Sequence, residues 1–561
     1  MTQKQTQKIA YFSMEVGIDA KVSTYSGGLG ILAGDTLKTS ADMALPYVGV
    51  TLLARKGYFH QSISKKGRQT EKPQVWAIDK QLKKCKPTVT VKLDGHMCKV
   101  RAWCYEAKGL TGHVVPVYYL DTDISGNPSE LRSLSHHLYG GDNRYRLMQE
   151  WILGVGGVKI LRALGYDQLS CYHMNEGHAA FLTFELLAEQ LKRQKRTSAR
   201  KADISTLIQK CIFTTHTPVP AGHDRFDLKD AKALIGDHPM WKMTRYFMPD
   251  KTRLNMTHLA LAFSRYVNGV AKKHAEVSRD MFPEYTIDAI TNGIHVPTWI
   301  APPIAKLLDT YVADWQLEND HLRHALAVPL KELDKAHQVS KDKLINLINK
   351  KSPIKFKKKV FTVGFARRAT PYKRANLIFK DIERLKQIAE KVGNFQLVFA
   401  GKAHPKDEGG KQLIQAIHEA AAQLGRNIPT VYLPNYEIGL AKCLIPGVDI
   451  WLNNPEPPME ASGTSGMKAA LNGVPNLSIL DGWWIEGCIE GLTGWGIGHP
   501  DKSSTAADSR ALYKKLEKVI SLYYQDHTAF VQIMRNAIAL NGSYFSTQRM
   551  LREYCLKAYY R

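Results

Sequence analysis

The chain has 561 residues, 44% hydrophobic and 23% charged, which allows two to four domains with sizeable cores and excludes collagen-like or low-complexity classes. No apolar run approaches the ~18–20 residues of a membrane span, and the opening Met1–Lys8 is basic without an apolar core, so no secretory leader is expected and the cytoplasm is the expected location. The formal charge of +25, from 77 basic and 52 acidic residues, favours anionic partners by long-range attraction, but it forms no block tail of the kind that marks a nucleic-acid arm.

In chain order, short apolar or β-branched runs predict strands at Ile9–Met14, Val48–Leu53, Val114–Leu120, Gln168–Met174, Cys211–Thr215 and Tyr285–Ile290, then at Val360–Phe365, Phe395–Ala400, Thr430–Leu433, Asp449–Leu452 and Asn476–Leu480. Helices are expected at Tyr145–Leu164, Gly177–Arg193, Val328–Lys350, Leu377–Val392 and Gly410–Leu424. The alternation predicts an α/β architecture with mainly parallel sheets, built as two halves facing a cleft. Pro297, Pro302 and Pro303 place the boundary after Thr291–Trp299, giving units 1–297 and 298–561, with a final helix near 543–561 expected to pack back on the first half. Eight scattered cysteines without CxxC spacing predict reduced thiols. The stretch Cys171–His178 lacks the His-Glu-x-x-His order, and no metal is expected.

Polar groups follow the predicted strands: Glu15, Asn175-Glu176, His216 and Asn292 in the first half, then Arg367-Arg368, Lys402, Asn435-Tyr436, Asn453, Glu456, Glu460 and Asp481 in the second. Open α/β sheets bind ligands beyond the carboxyl ends of their strands, so this recurrence predicts a ligand between the halves. The sharpest motif is Glu460-Ala-Ser-Gly-Thr-Ser-Gly-Met-Lys468-Ala-Ala-Leu-Asn-Gly473. Its turn and helix start suit a phosphate, and Lys468 reads either as a point-charge clamp or, if desolvated, as a Schiff-base amine. Arg367-Arg-Ala-Thr-Pro-Tyr-Lys373-Arg374 reads as a clamp for one dianion or two adjacent ones, or as a solvated basic turn. Tyr25-Ser-Gly-Gly-Leu-Gly-Ile-Leu-Ala-Gly-Asp35, a glycine-rich turn opening a helix, suggests an anion or a close backbone approach and is weak by itself; a nicotinamide fingerprint fails for want of an acidic residue ~20 positions on. His216 reads as a base, a donor to a sugar hydroxyl, or a satisfied core histidine.

Together these motifs resemble the α-glucan (glycogen, starch, maltodextrin) phosphorylases, short unregulated branch. The match runs nearly end to end and includes Tyr11–Glu15, Leu138–Asp142, Thr215–Thr217, Thr291–Gly293 with Trp299, Asp481–Trp484 and Asn541–Met550. The resemblance implies two Rossmann-like lobes of the glycosyltransferase B type, with pyridoxal 5′-phosphate bound as a Schiff base to Lys468. The implied reaction is phosphorolysis of terminal α-1,4-linked glucosyl units by inorganic phosphate, giving α-D-glucose 1-phosphate with retention, the cofactor phosphate relaying the proton. By the same matching, Arg368, Lys373, Lys468 and His216 are catalytic. Thr464, Ser465, Arg367, Lys373, Tyr436 and Trp299 hold the cofactor. Gly28, Leu29, Asp142, His216, Asn292, Arg368, Glu460, Ala461, Ser462 and Gly463 hold substrate. The resemblance implies neither a nucleic-acid nor a membrane partner and allows a homodimer; allosteric regulation is not carried over, because the first motif begins at Tyr11. Two rivals remain at this point: a nucleotide-sugar glycosyltransferase of the same architecture, which has no use for a Schiff-base lysine, and a non-catalytic polyanion- or glycan-binding protein using the basic windows 51–100 and 351–400.

Overall fold

The computed structural model describes residues 8–560; the segment 1–7 and Arg561, which carry part of the leader and final-helix expectations, lie outside the described residues. The first sheet has nine strands: Ile9–Ser13 (β1), Tyr47–Leu52 (β2), Lys83–Leu93 (β3), His96–Lys108 (β4), Val114–Asp121 (β5), Cys171–Asn175 (β6), Cys211–Thr214 (β7), Tyr266–Gly269 (β8) and Asp288–Ala289 (β9). Their spatial order is β9-β8-β7-β6-β1-β2-β5-β4-β3. The seven strands from β9 to β5 run parallel, and β4 and β3 add an antiparallel edge. β1 and β2 are buried at every residue, as strands covered on both faces must be. The β3–β4 hairpin alternates buried and exposed positions and turns at Asp94-Gly95, whose φ angles of +55° and +73° fit a two-residue hairpin loop.

The second sheet contains Phe361–Ala366 (β10), Phe395–Ala400 (β11), Thr430–Leu433 (β12), Ile450–Asn453 (β13), Asn476–Ile479 (β14) and Gly494–Ile497 (β15). All six are parallel, in the order β12-β11-β10-β13-β14-β15. That is the doubly wound Rossmann order, with its switch point between β10 and β13. In the first sheet the order reverses between β1 and β6.

Three helices matter most for the site: Gly28–Asp42 (α1), Thr464–Leu471 (α2) and Thr547–Tyr554 (α3). Ile294–Phe356 share the apolar core of the second sheet. Met550, Leu551, Tyr554, Ala558 and Tyr559 pack instead with Ile9, Tyr11 and Tyr47 under the first. No helix among the described residues is long and apolar enough to cross a membrane.

Several elements depart from the sequence reading. The strand expected at Tyr285–Ile290 shrinks to Asp288–Ala289, because Tyr285 still belongs to the turn that ends the preceding helix. The helix expected over Tyr145–Leu164 contains a π-helical turn at Ile152–Gly156, where Gly154 abuts the Phe181–Leu182 backbone. Leu377–Val392 breaks in two, and Asp381 caps its second part. Gly177–Arg193 begins as a separate turn over Gly177–Ala179, capped by Glu176, and the helix proper starts at Leu182.

Candidate functional site

Both switch points are built from the residues that follow their central strands. At the first, Asn175 Nδ2 donates to Ser13 Oγ at 3.1 Å, tying β6 to β1. At the second, Arg367 donates to Asn453, tying β10 to β13.

In the first wall, Glu15 is buried and accepts the backbone N–H of Ser26, that of Gly27 at 3.3 Å and the Tyr139 hydroxyl at 3.1 Å. It thereby shapes the glycine loop that opens α1. Gly28 and Leu29 follow in the first turn, whose amides have no intrahelical acceptor. The Arg368 guanidinium reaches this loop: a Cβ on Gly27 would lie 2.8 Å from its Nη2. His216 Nε2 donates to Asn175 Oδ1 at 2.7 Å, and Glu176 accepts the His216 N–H at 2.8 Å and the Thr217 hydroxyl at 2.9 Å. Burial pulls His216 down to about 4, against the opposing field of Glu176, so the ring is neutral near pH 7. Asn292 is buried, and its Oδ1 has no partner.

The second wall carries the cations, and they fall into two groups. Glu460 pairs with Arg367 at 2.7 Å and also with Lys373. Burial alone would raise the Glu460 carboxyl, but these two cations hold it at about 2. Arg368 has no hydrogen bond or ion pair among the described residues and projects towards the glycine loop. Burial works against its charge, while Tyr58 and Glu15 pull it above the ordinary guanidinium range.

Lys468 lies in α2, which starts at Gly463 in the left-handed region, φ +89°, followed by Thr464 and Ser465. Ser465 Oγ accepts the Trp451 indole N–H at 3.2 Å. The Lys468 amine is buried and lies 3.9 Å from the Trp299 ring centroid, without a hydrogen-bond acceptor among the described residues. Burial lowers it from the ordinary lysine range to about 8, with Asp35 pulling the other way. A buried amine that gives up its proton more readily than an ordinary lysine and lacks an acceptor suits a covalent carbonyl ligand.

Other predicted residues fall as follows. Ser462 is buried with an unpartnered Oγ, while its carbonyl accepts the Trp483 N–H at 2.9 Å. Ala461 and Gly463 are half-buried beside it. Tyr436 is half-buried within reach of Tyr25 and Arg367, and burial pushes its phenol up. Asp142 is exposed and caps a helix by accepting the Tyr145 N–H at 2.9 Å, with no hydrogen bond to another member of the set.

Sequence reasoning passed over three groups. Asp35 accepts the Trp299 indole N–H at 3.0 and 2.8 Å; nothing in the sequence joins residues 264 positions apart. Asp481, noted for following a strand and for opening a matched motif but given no role, accepts the Glu460 N–H at 2.9 Å and is raised by burial to about 7. Thr370 Oγ1, inside the basic motif but given no role, and both side-chain polar atoms of Asn454 are buried without partners near the second switch point. The His178 of the metal-like stretch lies with Glu150 and Asp224. Arg146 sits among the three, at 3.1 Å from Glu150 and 3.0 Å from both Asp224 and His178, and supplies the positive charge there.

The family model described as carbohydrate phosphorylase matches residues 223–490. The chain is 37% identical to the maltodextrin phosphorylase of Thermococcus litoralis, over 99% of this chain and 71% of that protein. It is 35% identical to the glycogen phosphorylase of Mycobacterium tuberculosis, over 97% and 70%, and 35% identical to that of Aquifex aeolicus, over 98% and 86%. With relatives this similar along nearly its whole length, the chain belongs to the carbohydrate phosphorylase family.

Proposed function

We propose that the chain transfers terminal α-1,4-linked glucosyl units of glycogen, starch or maltodextrin to inorganic phosphate. The product is α-D-glucose 1-phosphate with retained configuration. The observation that carries this reading is the meeting of the unpaired Arg368 guanidinium of the second wall with the glycine loop of the first, whose first-turn amides are free, in a wall that also carries the buried, acceptor-less Lys468 amine.

Arg368 and the first-turn amides of Gly28 and Leu29 bind the substrate phosphate. Lys373 and Arg367, held by Glu460, add positive potential without being free to collapse onto that phosphate. Asn292 Oδ1, the neutral His216 ring, Ser462 Oγ and the backbone from Glu460 to Gly463 face the sugar hydroxyls. The family uses pyridoxal 5′-phosphate, and the residues present fit it. Lys468 would hold its carbonyl carbon, Thr464 and Ser465 with Arg367 its phosphate, and Trp299 and Tyr436 its ring. When bound, it supplies a second phosphate that can hold a proton beside the first. A retaining hydrolase instead needs two available carboxylates ~5 Å apart. Here Glu15 is engaged by loop amides and Glu460 by two cations.

The test is to incubate the purified protein with maltodextrin, with and without phosphate. Phosphate-dependent glucose 1-phosphate is expected, with the α anomer visible by proton NMR and almost no free glucose when phosphate is omitted. Rapid phosphate-independent hydrolysis, or a β product, overturns the reading.

A further inference from the structure

We propose that Asp35 is a positioning residue for the Lys468 amine, acting on it through the Trp299 indole; the proposal rests on the reading that Lys468 is the cofactor lysine. Asp35 belongs to α1 and is 2% exposed. No cation lies within ion-pair distance of it among the described residues, and both of its carboxylate oxygens accept the one indole N–H, at 3.0 and 2.8 Å. On the face of the same indole lies the Lys468 amine, 3.9 Å from the ring centroid. An anion at the N–H edge pushes electron density into the ring, and an electron-rich face attracts a cation.

The ring is fixed on both sides. Asn472, one turn after Lys468 in α2, donates to the Trp299 carbonyl at 2.9 Å and accepts the Ala301 N–H at 2.6 Å. From α1, Lys38 donates to Thr298 Oγ1 at 3.0 Å, and Asp42 pairs with His295 at 2.7 Å. Asp35 is the charged group whose field reaches the amine, and Lys38 is the cation beside Asp35.

An aromatic ring between carboxylate and ammonium does what a direct pair would not. A contact salt bridge would hold the lysine protonated and bent towards the acid. Through the ring, the ammonium is attracted and aimed, yet the proton it must lose stays free. The neutral nitrogen would then be free to condense with the cofactor's aldehyde, with loss of water. Asp35 also ties this amine to the helix whose first turn faces Arg368, so both phosphate-facing regions share one rigid element.

The test uses cofactor-depleted protein and pyridoxal 5′-phosphate as the probe, with borohydride trapping and peptide mapping across pH 6–10. For wild-type protein, labelling of Lys468 should rise with a midpoint near 8. Asp35→Asn keeps the shape and an acceptor but removes the charge, and its midpoint should fall by roughly one pH unit. Trp299→Phe keeps an aromatic face without the N–H and should shift the same way; the double variant should shift no further than the larger single. An unchanged midpoint in folded Asp35→Asn, or fully additive shifts, overturns the proposal, and if Asp35→Asn does not fold, an unshifted Trp299→Phe overturns it alone. No label on wild-type Lys468 would instead overturn the cofactor assignment itself.

Discussion

The two sheets load their carboxyl ends with opposite chemistry. The first delivers Glu15, Asn175, Glu176, His216 and Asn292: acids already spent on backbone amides, plus neutral groups. The second delivers Arg367, Arg368, Lys373 and Lys468, and of these four cations only Arg367 and Lys373 are paired, sharing the single Glu460 carboxylate. A wall without free cations can recognise hydroxyls without repelling a developing positive centre, whereas a cationic wall can hold two phosphates that would otherwise repel each other. The division predicts that damage to the cationic groups is felt first by phosphate, and damage to the hydroxyl-facing groups first by glucan.

The largest effect should come from Arg368→Ala. Losing a charge-assisted contact of this kind costs about a hundredfold in rate. The apparent phosphate affinity should fall, while glucan affinity and cofactor content stay near wild type. Steady-state kinetics with each substrate varied in turn checks this, and equal losses for both substrates would erase the distinction between the walls.

Next comes Glu460→Gln, which leaves two buried cations without a counter-ion. Breaking a buried pair costs roughly 3–5 kcal/mol of stability at neutral pH, and phosphate, by replacing the charge, should restore part of the melting temperature. The pH dependence has a definite sign. The native carboxyl lies at about 2, below its unfolded value of ~4.3, so its contribution is present above ~4.3 and is lost as pH falls towards about 2. Acid unfolding of the Gln variant should lack that segment of the curve; a curve parallel to wild type would refute the assignment.

What could be read from the sequence divides along physical lines. β1, β2, β10 and β11 are runs buried on both faces, so their apolar letters announce them. β3 and β4 have one exposed face rich in lysine, so their alternation was hidden by charge; the Asp94-Gly95 turn between them was the available signal. Arg368 and Lys468 stood out because glycine and cations cluster around them. Asp35 could not, since its meaning is a contact with an indole in another part of the chain. Glu460 was matched to the sugar, yet its side chain is committed to Arg367 and Lys373; spacing along a chain does not show which neighbour a charge will choose.

A smaller effect should follow Arg549→Ala, on the first wall alone. Arg549 in α3 donates to the Asn292 carbonyl at 3.0 Å and is itself held by the Tyr544 carbonyl at 3.0 Å and by Glu553 at 3.0 Å. Nearby, a Cβ on Gly293 would fall 2.3 Å from the Ser546 carbonyl oxygen, so the returning chain sits directly on the Asn292 loop. Removing one such hydrogen bond, worth ~1 kcal/mol, should weaken glucan binding about fivefold and leave phosphate binding unchanged. A loss on the phosphate side would show that the returning segment supports both walls.

The smallest kinetic effect should be that of Tyr559→Phe, although the hydroxyl is deeply buried. It bonds to the Tyr47 hydroxyl and to His173 Nδ1 at 2.7 Å. His173 Nε2 meets Thr214 Oγ1 at 2.8 Å, and two residues along β6 from His173 lies Asn175, which holds His216. Burial draws His173 down to about 3, so the ring is neutral and one of its nitrogens depends on Tyr559. Deleting the hydroxyl orphans that nitrogen, at a cost of ~1–3 kcal/mol, which thermal denaturation would register. Asn175 keeps its own bond to Ser13, and His216 its backbone bond to Glu176, so the first wall has anchors independent of the tail. Turnover and both substrate affinities should therefore match wild type below the melting transition. A drop in turnover at unchanged stability would mean that the tail sets the position of His216, and that the first wall is tuned from behind as well as built from its own strand ends.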